Sequence, residues 1–174
     1  MGVLSVKDFM YDIMEDLIDR IKEDELWGVE IKFSKVRSHS TNQLCQERFT
    51  PIAVLWVGCD SFKIRLEGSL SDKKSVKKII VSETFIALLV DHEFRIYSLK
   101  GAIQETVSTP KYGKLIHVNK NFFVFCKGRT LTWISNKGMI QKSRRLTDEE
   151  YKYFKISPYC KIRERSGVIE QFVV

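Results

Sequence analysis

No apolar run in the 174 residues is longer than the six of 85–90, whereas a helix needs roughly 20 to cross a bilayer. A membrane-spanning chain is therefore not expected. The four cysteines, Cys45, Cys59, Cys126 and Cys160, form no Cys-x-x-Cys pair, which argues against a structural zinc site. The glycine-rich phosphate and dinucleotide motifs are missing, so nucleotide chemistry has no foothold. The first ten residues carry Lys7 and Asp8 and lack the apolar stretch of a secretory signal. An intracellular location with reduced thiols follows as the expectation. Gly2 would suit myristoylation, but the motif requires Ser or Thr where this chain has Val6.

Charge is present in quantity and unevenly placed. The net charge of +7 conceals a first segment, residues 1–30, with nine acidic side chains against three basic ones. The remainder carries 26 basic against 13 acidic groups, enough to concentrate an anionic partner by long-range attraction. With 44% hydrophobic and 11% aromatic residues, the chain has the apolar surface to fold, and one domain is the default.

Residues 6–25 place Phe9, Met10, Ile13, Met14, Leu17, Ile18 and Ile21 at three- and four-residue spacing, with acids on the other side. That is an amphipathic helix, with Ser5 and Asp8 as its capping pair and Gly28 beyond its end. Its stripe suits a core more readily than a docking groove. A strand is expected over 29–36 and a polar loop over 37–48, containing His39.

Laying residues 77–109 over 114–146 without a gap reveals a repeat of 37 residues. Nine of the 33 positions are identical: Lys77/Lys114, Ile79/Ile116, Val81/Val118, Phe85/Phe122, Ser98/Ser135, Lys100/Lys137, Gly101/Gly138, Ile103/Ile140 and Gln104/Gln141. Each copy divides into four strands, 77–82, 85–90, 93–99 and 102–108 in the first. The second strand is apolar on both faces, the third alternates and the fourth is polar, as in a sheet running from interior to solvated edge. Lys100-Gly101 and Lys137-Gly138 supply the turns between strands three and four. Such a unit resembles a blade of the β-propeller or WD-repeat type. A weaker earlier copy covers 29–73, with 52–57, 62–66 and Gly68 as second strand, third strand and turn. The Gly-His and Trp-Asp dipeptides of WD repeats are absent, Trp133 being followed by Ile134, so the resemblance is to the superfamily. It implies protein recognition through loops and outer faces. Three units fall short of the roughly four to eight that close a ring, and an exposed edge implies a homo-oligomer. Downstream, Thr147 to Glu150 forms a capping box opening a short helix, and 159–165 with 168–174 forms a hairpin across Ser166-Gly167.

Few residues suggest chemistry. Asp91-His92, near Asp60 and Glu93 in character, has the elements of an acid/base pair, but it aligns with Gly128-Arg129 and so with a turn. Cys126 aligns with Leu89 and His117 with Ile80, which makes both packed strand residues. Glu30-x-Lys32 matches half of a metal-dependent nuclease site without the flanking elements such a site needs. The densest basic cluster is Lys73, Lys74, Lys77 and Lys78, with Arg144, Arg145, Lys152 and Lys155 further on, then Lys161, Arg163 and Arg165. These are candidate phosphate contacts, with Tyr151, Tyr153 or Tyr159 to stack on bases. The expectation is a mainly β protein of repeated four-stranded antiparallel units, with an N-terminal amphipathic helix and a C-terminal hairpin. No catalytic residue, cofactor or metal is expected. Its function would be that of a non-enzymatic interaction or scaffold module for another protein, with nucleic-acid binding and a nuclease as successive alternatives.

Overall fold

Apolar spacing passes from the helical period of residues 6–22 to the strand period from residue 26 onward, and the first elements follow it. A computed structural model describes residues 6–37, 47–156 and 169–172. The elements are α1 (Val6–Lys22), β1 (Leu26–Arg37), β2 (Glu47–Val57), β3 (Asp60–Arg65), a single 3-10 turn (Lys73–Ser75), β4 (Val76–Val81), β5 (Ile86–Val90), β6 (Glu93–Tyr97) and β7 (Ile103–Ser108). They continue with α2 (Thr109–Tyr112), β8 (Lys114–Val118), β9 (Phe122–Lys127), β10 (Thr130–Ser135), β11 (Ile140–Arg145), α3 (Asp148–Ile156) and β12 (Ile169–Phe172). The protein is mainly β, in three antiparallel sheets: β1-β2-β3, then β12-β4-β5-β6-β7, then β11-β10-β9-β8. No helix of the described residues is long and apolar enough to cross a membrane.

The middle and third sheets pair their strands in registers 37 residues apart. Ile86 faces Tyr97 as Phe123 faces Ile134, and Leu89 faces Phe94 as Cys126 faces Leu131. Glu93 faces Ser108 as Thr130 faces Arg145, and the register slips between Ile96 and Tyr97 as it does between Trp133 and Ile134. Turn chemistry recurs with different atoms. The Ser82 hydroxyl accepts the N–H groups of Thr84 and Phe85, and the Asn119 carbonyl oxygen accepts those of Asn121 and Phe122. Either side chain supplies the oxygen that a tight turn demands of Ser or Asn.

Because neighbouring residues of a strand face opposite ways, β5 feeds two cores. Ile86, Leu88 and Val90 join α1's Leu17 and Ile21 and the first sheet's Val29, Ala53, Leu55 and Val57. Ala87 joins Phe94 and Ile96 against Phe123, Phe125 and Ile134 of the third sheet. A strand covered on both faces has no polar position, which is why 85–90 is apolar throughout. The second core is aromatic. Phe123 lies 5.1 Å from Phe85 and 4.7 Å from Phe94 edge-to-face, and Phe94 lies 5.7 Å from Phe125, each pair contributing about 1 kcal/mol beyond area burial. The third sheet's far face buries Val124 and Leu131 with Leu146, and half-buried Phe122, Trp133 and Tyr151 pack around them. Its outer strand β11 is exposed throughout, and four of the six residues of β7 are exposed in succession, the polar treatment that discourages edge pairing.

Two features lie outside the repeated register. The first sheet has three strands. Where a fourth would begin, the Glu67 N–H donates to the Gly101 carbonyl (3.0 Å), the Tyr97 hydroxyl to the Glu67 carbonyl (2.9 Å) and Arg95 to the Gly68 carbonyl (2.8 Å). The Glu67 carboxylate also accepts the Ile103 N–H at 3.0 Å, so the chain is tied directly to the middle sheet. The second is β12, which pairs antiparallel with β4, Ile169 opposite Val81 and Phe172 opposite Lys78. Residues 159–165, the other half of the expected hairpin, lie outside the described residues.

Candidate functional site

Alternation divides the first sheet into an apolar face and a mixed one. Val29, Ile31 and Phe33 of β1, Ala53, Leu55 and Val57 of β2, and Phe62 and Ile64 of β3 pack into the first core. Opposite them lie two cross-strand rows: Lys32, Ile52 and Arg65, then Glu30, Val54 and Lys63. Lys32, Lys63 and Arg65 are exposed, whereas Val54 between Glu30 and Lys63 is buried. Long stems beside it keep their charged heads in water while covering the apolar centre. Glu30, two residues from Lys32 on the same face, pairs with it at 3.8 Å.

A third row ends the platform with tryptophans. Leu26 faces Val57 and Gly28 faces Trp56, so Trp27 is the extra residue of a bulge. Bulges re-aim a side chain, and Trp27 is 65% exposed. Its indole N–H donates to the Gly58 carbonyl at 2.8 Å, and its ring lies 5.9 Å from that of Trp56, tilted by 32°. The hydrogen bond fixes one edge of the ring and leaves its surface to solvent. At the rim, Arg20 from α1 binds Glu25 (2.7 Å), Asp60 (2.9 Å) and the Val57 carbonyl (3.0 Å). Those hydrogen bonds to Glu25 and Asp60 raise its pKa. Arg20 is thus a strut between the helix and the β2–β3 turn, each of its three nitrogens holding a partner.

The basic residues selected from sequence are spread over several elements, and many have partners within the chain. Asp72 caps the 3-10 turn that carries Lys73 and Lys74. The Lys73 ammonium lies 4.9 Å over the Phe49 ring. Lys77 donates to the Lys74 carbonyl and pairs with Asp91 at 3.5 Å. Lys78 is buried, 7% exposed, in β4 between β5 and β12, where no phosphate would reach it. Arg144 and Arg145 stand on β11, the outer strand of a different sheet, and Arg144 is engaged by both oxygens of Glu150 at 2.8 Å. Lys152 is exposed on α3, and Lys155 lies further along that helix. Tyr151 lies beneath Arg129 at 4.4 Å, Tyr153 lies in α3, and Tyr159, Lys161, Arg163 and Arg165 fall outside the described residues.

Several of the chemical candidates have partners within the fold. Asp91 and His92 form the turn between β5 and β6, where the His92 carbonyl accepts the Thr109 N–H at 3.2 Å. Asp60 is held by Arg20, and Glu93 by Arg95 at 2.6 Å. Cys126 is half-buried, its thiol pushed up by burial, the reverse of what a nucleophile requires. Cys59 is exposed. His117 is buried in β8, 6.1 Å from the Phe122 ring, and His39 lies outside the described residues. Among the described residues no three His, Cys, Asp or Glu side chains gather as metal ligands. Sequence reading passed over Trp27, Trp56, Lys63 and Arg65. Their signal was the regular interleaving of Trp56, Lys63 and Arg65 with core positions, masked because the first sheet's repeat is weak and Trp27 precedes the expected strand. Comparison of the chain with family models, curated proteins and solved structures finds no match.

Proposed function

We propose that this chain is a non-enzymatic interaction module built from blade-like β units, and that the outer face of its first sheet meets the partner. The blade-like reading is supported by paired registers 37 residues apart and by a middle sheet that presents one face to the first sheet and the other to the third. The observation that carries the functional reading is the platform of Trp27, Trp56, Lys32, Lys63 and Arg65. Solvent-facing tryptophan with cations beside it is the composition of a contact surface, and the sheet's opposite face packs into the first core.

The test is affinity capture with the native chain and with a Trp27→Ser, Lys63→Ser, Arg65→Ser variant of unchanged melting temperature. Partners held by the native chain should be lost from the variant. Equal retention would overturn the assignment of this face. A turnover activity abolished by a single polar substitution would overturn the non-enzymatic reading.

A further inference from the structure

We infer that the partner of the first sheet's outer face is single-stranded nucleic acid, with bases stacking on Trp27 and Trp56 and phosphates meeting Lys32, Lys63 and Arg65. This rests on the preceding assignment of the face and adds the chemistry of its occupant.

Three observations favour that occupant. First, Trp27 is 65% exposed with its indole N–H already donated to Gly58, so what it offers a ligand is its ring surface. Unpaired bases stack on such surfaces irrespective of sequence, for about 1–3 kcal/mol each. Second, the two cross-strand rows suit a phosphate backbone: Lys32, Lys63 and Arg65 stand there against Glu30, which faces Lys32 at 3.8 Å, while at the tryptophan rim the Glu25 and Asp60 carboxylates are held by Arg20. Lys63 and Arg65, two residues apart on β3, are separated by about 6.8 Å of strand, a spacing that neighbouring phosphates of an extended strand can follow. Third, the platform is a three-stranded sheet face. It has no helix or ribbon to enter a duplex groove, and the bases of a duplex stack on one another and are closed to Trp27. An anionic bilayer would need a deeper apolar wedge than two tryptophans over a buried Val54 provide, and an acidic protein would leave the ring surfaces without stacking partners.

The full chain is titrated with a 12-residue oligothymidylate, tryptophan fluorescence reporting, at several salt concentrations. Saturable quenching is expected, weakening as salt rises. Trp27→Ala should weaken binding about tenfold or more. Lys63→Ser with Arg65→Ser should lower the slope of log affinity against log salt by about 1.4, the release expected for two phosphate contacts on a single strand. Glu30→Gln should tighten binding, and Lys73→Ser with Lys74→Ser, outside the face, should leave it unchanged. Circular dichroism melts establish that each variant is folded. Unchanged affinity in Trp27→Ala, or a duplex of equal length bound as tightly through the same residues, overturns the inference. If instead polyglutamate or phosphatidylserine vesicles bind through Trp27, Lys63 and Arg65 and the oligonucleotide does not, the inference fails while the interaction face stands. Absence of all three, together with retention of partners by the triple variant above, removes both.

Discussion

Gly101 adopts φ +91°, and a Cβ placed on it would lie 1.9 Å from the Arg65 carbonyl oxygen. Gly128 also has positive φ, +59°, but nothing lies within 4 Å of its would-be Cβ. Gly128→Ala therefore meets only the intrinsic cost of a left-handed residue, about 1 kcal/mol. Gly101→Ala adds a collision with backbone where the first sheet is tied to the middle one, and should cost about 3 kcal/mol or more. Urea denaturation of the two variants checks the difference, and equal losses would show that the 65–101 approach does not hold the sheets together. The sequence marked Gly101 as a turn residue, because it recurs as Gly138. It held no sign that Arg65 approaches, since that contact crosses between sheets.

At the scale of elements, α3 opens with a reciprocal cap. The Glu150 N–H donates to the Thr147 hydroxyl at 3.2 Å, and the Glu150 carboxylate accepts the Thr147 N–H at 3.1 Å. Arg144 grips the same carboxylate from β11 and, with the Thr147 backbone, brings its pKa down from the ordinary 4.5 to about 2. A depressed carboxyl pKa favours the folded state fully above its ordinary value, and that contribution disappears as pH falls toward the depressed one. Docking of α3 on β11 should therefore loosen between about pH 4.5 and 2. In Glu150→Gln that pH dependence should vanish. Amide exchange at Tyr151 through this range is the measurement, and an identical acid response in both proteins would refute the coupling. The cap was legible because its residues lie within four positions. The clamp from Arg144 was not, since a phosphate contact and an internal ion pair look alike in a basic sequence.

The whole molecule is a stack in which the second core is closed by aromatic rings from two sheets. Phe123, fully buried against Phe85 and Phe94, should cost about 4 kcal/mol on replacement by alanine. Its neighbour Phe122 faces the third sheet's far side, half-buried, and should cost about half that. Thermal melts of Phe123→Ala and Phe122→Ala test the order, and a reversed ranking would mean that the third sheet stacks through its other face. Phe85 and Phe122 occupy equivalent positions in two different turns, yet only Phe85 is fully covered, because a further sheet follows the middle one and none follows the third within the described residues. The apolar run 85–90 disclosed a doubly covered strand, but nothing local to 169–172 indicated its partner. Pairing of β12 with β4 joins residues some ninety positions apart, the kind of closure whose entropy delays folding. On the ribosome the N–H and C=O groups along that side of β4 stay uncapped until residue 172 has emerged. Nascent chains stalled before that point should expose a sticky strand to chaperones, a vulnerability that ends only with the last hydrogen-bonded rung.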